Sequence, residues 1–513
     1  VIVVGSGAAA LAAALAAALA AARSGARVTV LERAQHLGGT TAISGGIAWL
    51  PCSRVAVEAG VEDSPAAALE YLRALGRGDF DDALATTFVD DAARVAQVIE
   101  DHTPLQWIAL PDWPDYQAQL PGGRVGGRSI WPAPLPVPPD LAARIQPTPE
   151  VPSSPVPEGA RITDAVVLRG PVRGRVLVAG LLAALDPLGV DIRTGARVDA
   201  LVTDASGGVR GVRGDGFELA GSVVLATGGF QHDPALVRTF LPIPEVAAMG
   251  PPGCSGDAVR LARTVGAAFG NMADAWWMPA IRIPGEAIDG APFFRPLHHE
   301  RAQPGSIMVD RTGRRFVDEA QNYTDAGRAM LRFDAGSYTW PAAPCWLIFD
   351  RAYRDRTTVG PLAPGGDDPP WLHRADDIAS LGTRLGLPPG ALDETVEKFN
   401  AGAKAGSDAE FGRGTHPYEQ WIGDPDAPNP NLAPVEAPPF YAVEVLPGCL
   451  GTKGGPRTDR DARVLRDDGA PVPGLFAAGN AAANPFGIGS PGGGGTIGPA
   501  LVFGTRAGEA AAS

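Results

Sequence analysis

The first ten residues, Val1-Ile-Val-Val-Gly-Ser-Gly-Ala-Ala-Ala10, constrain this chain more than any other stretch. Four apolar β-formers run into a Gly-x-Gly turn, and an apolar helical pattern follows from Ala8 to about Arg23. Strand, tight turn and helix in that order make a seat for a dinucleotide pyrophosphate. Gly5 permits the turn, Gly7 lets the backbone approach the phosphates, and Ala10 packs helix against strand. The phosphates rest on the positive helix N-terminus. A lone G-x-G-x-x-A is a weak signal, but its context strengthens it. Val28-Thr-Val-Leu-Glu32 reads as the second strand of a βαβ unit, and Glu32 falls 27 residues beyond Gly5, near the spacing of a ribose-binding acid.

A second glycine cradle follows at once, Leu37-Gly-Gly-Thr-Thr-Ala-Ile-Ser-Gly-Gly46. Two Gly-Gly pairs bracket small hydroxyl residues, so the backbone can lie flat against a planar cofactor and turn N–H and O–H groups to phosphate oxygens. A nicotinamide enzyme does not need this cradle. A flavin enzyme, which buries its whole dinucleotide, does.

Composition narrows the class further. A chain of 513 residues suggests two to four domains. The net charge is −14 and no dense Lys/Arg cluster occurs, which argues against nucleic acid or an anionic membrane as partner. The one long apolar run is the alanine-rich first helix, which belongs to the βαβ unit and is not read as a membrane span. Cys52, Cys254, Cys345 and Cys449 lie far apart, the pattern of reduced thiols in a cytoplasmic enzyme. His298-His299 has no further ligand at metal spacing, so no metal is expected. No targeting segment is visible.

Further along, residues 56–75 and 88–100 carry helical spacing, and 104–160, rich in Pro, Gly and Trp, reads as irregular. A helix is expected over 177–188, strands over 190–193 and 196–202, and a hairpin from there to Leu219. Ser222-Val-Val-Leu-Ala-Thr-Gly-Gly-Phe230 reads as a buried strand with a cofactor-facing end, and Gly256-Asp257 opens a helix. A boundary is expected at Pro279. Residues 280–443 lose the β–α alternation and hold one marked hairpin, Ser306 to Val317, turning at Asp310-Arg-Thr-Gly313. From 444 the chain returns to cofactor motifs: a strand ending in Gly479-Asn480, a glycine-rich loop over 487–498, and a helix from about Pro499. The expected fold class is α/β, with a Rossmann-like domain built from 1–279 and 444–513 and an inserted α+β domain at 280–443.

These motifs together resemble the flavoprotein 3-ketosteroid dehydrogenases, chiefly the Δ1-dehydrogenases, within the group of fumarate reductase and succinate dehydrogenase flavoproteins. The resemblance spans nearly the whole chain. Its more discriminating parts are Asp274-Ala-Trp-Trp-Met-Pro279 and Leu450-Gly-Thr-Lys-Gly-Gly455, beside Arg314-Arg-Phe-Val-Asp-Glu319 and Gly495-Thr-Ile-Gly-Pro499. It implies non-covalent FAD, held by Gly5, Ser6, Gly7, Ala8 and Ala9, by Glu32 and Arg33, and by Gly39, Thr40, Thr41, Ser44, Gly45 and Gly46. Val198, Ala226, Thr227, Gly228, Asp257, Gly479, Asn480, Gly495, Thr496 and Ile497 complete that set. The implied substrate is an apolar ketosteroid, and the implied electron acceptor a quinone or similar molecule.

The resemblance makes Tyr323 the base, assisted by Tyr116, with enolate stabilisation from the backbone N–H of Gly494. A tyrosine starts near pKa 10 and has to be tuned for such work. Where the family commonly has a tyrosine donor in the C-terminal glycine loop, this chain has Ser490. A direct or water-mediated donation by Ser490, another residue reaching in, or a differently seated substrate all remain open. So do Δ4-(5α)-dehydrogenation, an ene-reductase, and a flavin- or steroid-binding protein with little turnover. A monomer is the expectation.

Overall fold

A computed structural model describes residues 1–148 and 172–513. The chain opens with strand β1 (Ile2–Val4), helix α1 (Ala8–Ser24) and strand β2 (Thr29–Leu31). Two further short strands, β3 (Asp191–Arg193) and β4 (Val223–Leu225), join them. A long strand, β5 (Ala275–Ile288), leads into the second region, which contains helix α2 (Tyr323–Ala329) and returns along strand β6 (Phe440–Thr452). Strand β7 (Pro471–Ala477) and helix α3 (Ile497–Ala512) close the chain.

The first sheet runs β7–β4–β1–β2–β3 in parallel, with residues 463–465 antiparallel on the outer edge of β7. Its inner strands read Ile-Val-Val and Val-Val-Leu because both faces are covered, one by helices and the other by a small sheet of residues 198–220 with a short helix at 257–263, so every position wants an apolar residue. The α1 helix is nearly all Ala and Leu, good helix formers, and it is buried because α3 lies against it. A Cβ at Gly504 or Gly508 would stand 2.4 or 2.1 Å from the carbonyl oxygens of Ala9 and Ala13, so only glycine allows that approach. The last helix thus clamps the first, and both chain ends build one nucleotide-binding layer.

The second sheet has β5 and β6 antiparallel at its centre, flanked by residues 291–296 on one side and by 345–349 and 306–309 on the other. Separate apolar clusters fill its two faces, one around Leu347, Phe349 and Tyr441, the other around Ile348, Leu392 and Phe399.

The structure shifts several expected boundaries. The divisions at 279 and 444 cut through β5 and β6, so the second sheet begins a few residues earlier and ends a few later. The helix expected over 56–75 is two helices, 54–58 and 65–75, because Gly60 adopts a positive φ and Pro65 starts the second. In the expected hairpin at 306–317 the turn at Asp310–Gly313 forms, but the return makes a single bridge, Val309 to Arg315. Residues 306–309 pair instead with 345–349. Part of the irregular region, 149–160, lies outside the described residues.

Candidate active site

A cavity of about 1350 Å³ opens at the carboxyl ends of β1, β2 and β4 and extends to the second sheet. Gly5, Ser6, Gly7, Ala8 and Ala9 form one wall. Gly5 has φ +113°, and a Cβ there would sit 2.2 Å from the carbonyl oxygen of Ala226, so strand and turn close only around glycine. The first turn of α1 carries no acidic residue, and its cap, Gly7, supplies no side chain, so the positive helix end stays available for an anion. Thr41 Oγ1 accepts from the Ala8 N–H at 3.0 Å and ties the second glycine cradle to this turn.

Glu32 is buried at the end of β2, where Ser6 Oγ donates to it at 2.6 Å and the Ala34 N–H at 2.8 Å. Burial pushes its carboxyl up, and these hydrogen bonds oppose the rise. Arg33 bonds Asp257 at 3.0 Å, and both line the cavity beside Val198. Gly39, Thr40, Thr41, Ser44, Gly45 and Gly46 follow along the wall, and a Cβ built on Gly39 would meet nothing within 4 Å. Ala226, Thr227, Gly228, Gly479, Asn480, Thr496 and Ile497 complete it. An open helix N-terminus, a buried acid at the strand end and a glycine cradle facing empty space together fit FAD in extended form. Gly495 is not part of the lining.

Across the cavity stand Tyr323, at the start of α2, and Tyr116. Their rings meet edge to face, centroids 5.3 Å apart. Asp115 fixes the Tyr116 segment by accepting from Trp49 Nε1 and Arg128, each at 2.8 Å. Asn322 caps α2, its side chain accepting from the Asp325 N–H at 3.1 Å. Both phenols are pushed above their ordinary range by burial, Tyr116 the further of the two. The neighbouring Tyr116 and the buried Arg301 guanidinium oppose the rise at Tyr323, which leaves it the less strongly raised of the two.

Ser490 does not face this space. It is buried off the cavity, and its Oγ accepts from Thr324 Oγ1 at 3.3 Å, behind the start of α2. The expectation that it donates directly to the substrate is therefore dropped: its position faces protein. Gly494 does line the cavity, with φ +88°, and a Cβ there would stand 2.5 Å from the Ile47 carbonyl oxygen. The Gly493 carbonyl, in the same peptide unit as the Gly494 N–H, accepts from Ser129 Oγ at 2.8 Å, which fixes that peptide's orientation.

The space between the two walls is lined by Ile47, Trp113, Met249, Met278, Phe293, Phe294 and Leu450. The expected apolar slot is present, but one end is polar, with His298, His299, Arg356 and Asp424 in its lining. The His298 imidazole contacts the Tyr323 ring edge-on at 5.3 Å, and its Nε2 lies 3.2 Å from the Tyr418 hydroxyl. Burial, with Arg301 and His299 nearby, lowers its pKa to about 3, so it is neutral. Tyr418 also stacks edge-to-face on Tyr116, centroids 4.9 Å apart. Sequence reasoning missed His298, Tyr418 and Arg301. The only signal was the His-His pair, which had been weighed as a metal ligand.

An α/β sheet with a dinucleotide cradle at its carboxyl ends, facing a pair of phenols, defines a flavin-dependent oxidoreductase. The chain belongs to the FAD binding domain family, which matches residues 1–497. It is 39% identical to a 4-oxocyclohexanecarboxylate 2-dehydrogenase of Sinomonas cyclohexanicum, over 99% of this chain and 92% of that one. It is 37% identical to a 3-oxosteroid 1-dehydrogenase of Mycobacterium tuberculosis, over 98% and 96%. Among solved structures it resembles 3-ketosteroid delta1-dehydrogenase of Sterolibacterium denitrificans in complex with 1,4-androstadiene-3,17-dione, with a TM-score of 0.90, 32% identity and coverage of 100% and 98%. The chain is thus an FAD-dependent oxidoreductase of the steroid dehydrogenase type. Among the described residues no helix is long and apolar enough to cross a membrane.

Proposed function

We propose that this protein desaturates a carbon–carbon bond beside a ring ketone, with Δ1-dehydrogenation of a 3-ketosteroid as the reaction. The observation that carries the reading is the phenol pair Tyr323–Tyr116 set across an apolar slot from the dinucleotide cradle. Such a reaction removes a proton from the carbon next to the ketone and a hydride from its neighbour. FAD held in the cradle of Gly5–Ala9, Glu32 and Gly39–Gly46 would supply the hydride acceptor, with a quinone or similar molecule as the final acceptor. Tyr323, as its phenolate, takes the proton at Oη, and Tyr116, packed edge-on against its ring, assists. As the proton leaves, negative charge grows on the ketone oxygen, and the Gly494 N–H, in a peptide held through Ser129 and lining the cavity, offers a donor there. The aromatic and methionine walls exclude water and press a flat ring system into the slot.

A second reading is favoured by the polar end of the cavity. Arg356, although it faces Asp424 at 3.8 Å, is a cation at this end that suits a small cyclic ketone carrying a carboxylate, as in the substrate named for the Sinomonas relative, with neutral His298 as a further polar contact. Anaerobic mixing separates the two. Flavin bleaching with a 3-ketosteroid and a 1,2-desaturated product supports the first reading, whereas a 4,5-desaturated product overturns the regiochemistry. Bleaching by 4-oxocyclohexanecarboxylate and not by the steroid supports the second. A spectral shift without bleaching by either compound points to binding without turnover.

A further inference from the structure

Two motifs have no role in the chemistry above: Asp274 before the Trp-Trp pair, and Lys453 in Gly-Thr-Lys-Gly-Gly. The structure brings them together. Lys453 is fully buried beside the Trp276 ring, 4.5 Å from its centroid, and bonds the Asp274 carboxylate at 3.1 Å. Its ammonium also donates to three consecutive carbonyls of the glycine loop, Gly487, Ile488 and Gly489, at 3.2, 2.7 and 3.0 Å. That loop runs on to Gly494.

Asp274 also pairs with Arg328, on the last turn of α2, at 3.1 Å, while Trp277 Nε1 donates to it at 2.8 Å. Arg328 reaches the same loop by donating to the Ile488 carbonyl at 2.9 Å, and it pairs with Asp325 at 2.9 Å. Asp325 in turn accepts from Gln117 Nε2 at 2.7 Å, next to Tyr116. The Tyr71 hydroxyl closes the circuit, accepting from the Gln117 N–H and donating to the Pro491 carbonyl at 2.8 Å. One connected set of charges therefore joins the Tyr323 helix, the Tyr116 segment and the cofactor-side glycine loop. These segments come from distant parts of the chain, and α2 belongs to the second region.

We propose that Arg328 and Asp274 are positioning residues, forming with Lys453 a clasp that fixes the Tyr323–Tyr116 pair against the glycine loop. A phenol must approach the substrate carbon to within a few tenths of an ångström of its working distance, and a misplacement of about 1 Å costs on the order of 10²-fold in rate. Two phenols on separate segments do not hold that register by ring packing alone. Buried or half-buried ion pairs with geometric demands do so more firmly, because they have few alternative arrangements. The clasp touches neither the cavity nor the dinucleotide wall, so its removal acts through position. The catalytic part of this inference rests on Tyr323 being the base.

The test is Arg328→Met, with Arg328→Lys as the conservative control, in the flavin-loaded protein. Arg328 is 27% exposed in its side chain, which makes the change tolerable to the fold. Hydrogen exchange read by mass spectrometry is expected to rise together in 323–329 and 487–494, with flavin content unchanged and with recovery in the lysine variant. Exchange that rises in the helix alone, or in neither segment, overturns the clasp. This readout needs no substrate, so it stands even if no ketone bleaches the flavin and the reaction assignment fails. With a substrate that bleaches the flavin, the rate is expected to fall about 10–100-fold with little change in KM. The isotope effect is expected to grow for deuterium on the carbon that loses a proton, but not for deuterium on the hydride-donating carbon. Unchanged isotope effects overturn the positioning role. Should the methionine variant fail to fold, Asp325→Asn weakens the same link and is read in the same way.

Discussion

Beneath the phenols lies a buried charge cluster in which carboxylates crowd one another. Arg301, Arg315 and Arg413 are almost wholly buried, and among the acids facing them are Glu319, Asp408, Asp318 and Glu419. Glu419 accepts from the N–H groups of Gly414, Thr415 and His416 at 2.9, 3.0 and 3.1 Å, which favours its charged form. Asp318 accepts from the Ala320 N–H at 2.8 Å, is 2% exposed and lies close to the Glu419 carboxylate. Burial and the neighbouring Glu419 and Glu319 carboxylates push Asp318 up to about 8. The proton therefore sits on Asp318. The unfolded chain releases it near pH 4, so between about pH 4 and 8 the folded protein binds one more proton than the unfolded. Stability then falls as pH rises, by about 1.4 kcal/mol per unit, or about 3 kcal/mol between pH 5 and 7. Asp318→Asn keeps a donor toward Glu419 but has no proton to lose. Urea unfolding at pH 5, 6 and 7, followed by circular dichroism with saturating flavin, should give a variant whose stability decreases less steeply than wild type by that amount. Parallel pH dependences in the two proteins would refute the assignment of the proton.

Two other substitutions test the cavity wall and the protein packed behind it. In Gly39→Ala the new methyl meets no protein atom but enters the cofactor space, and its φ of +48° costs about 1–2 kcal/mol. The protein should fold with near-native circular dichroism and lose most of its flavin absorbance; full flavin content would show that the cradle does not hold the cofactor. Ser490→Tyr should lower activity and stability, because the ring must enter a filled site beside Thr324, where overpacking typically costs about 1–3 kcal/mol. A gain in turnover would mean that this position reaches the substrate after all.

The nucleotide-binding layer was legible because its signals are local. Gly5 and Glu32 each sit at the end of an apolar strand, and the Gly-Gly cradle opens a short helix at Gly39–Ile43, so at each a few consecutive residues decide the backbone. The second region was legible only as a change of character. Its β5–β6 pairing joins residues far apart in the chain, and the proline-rich segments between carry no periodicity to announce it. The same limit applies to the site. Tyr323 and Tyr116 could be named by resemblance, but the sequence does not place His298, Tyr418 and Arg301 around them, since those contacts come from long-range folding. Ser490 shows the opposite failure. Its alignment with a family tyrosine suggested a role in the cavity, whereas the side chain is turned toward Thr324.

The most direct measurement is the anaerobic reduction of bound flavin by a 3-ketosteroid in wild type and in Tyr323→Phe. The phenylalanine keeps the ring contacts with Tyr116 and His298 and removes only the oxygen that would accept the proton. Flavin occupancy should be equal in the two proteins, and bleaching about 10²–10⁴-fold slower in the variant. Bleaching at the wild-type rate with the same desaturated product would contradict the role given to Tyr323 and, with it, the reaction proposed for this cavity.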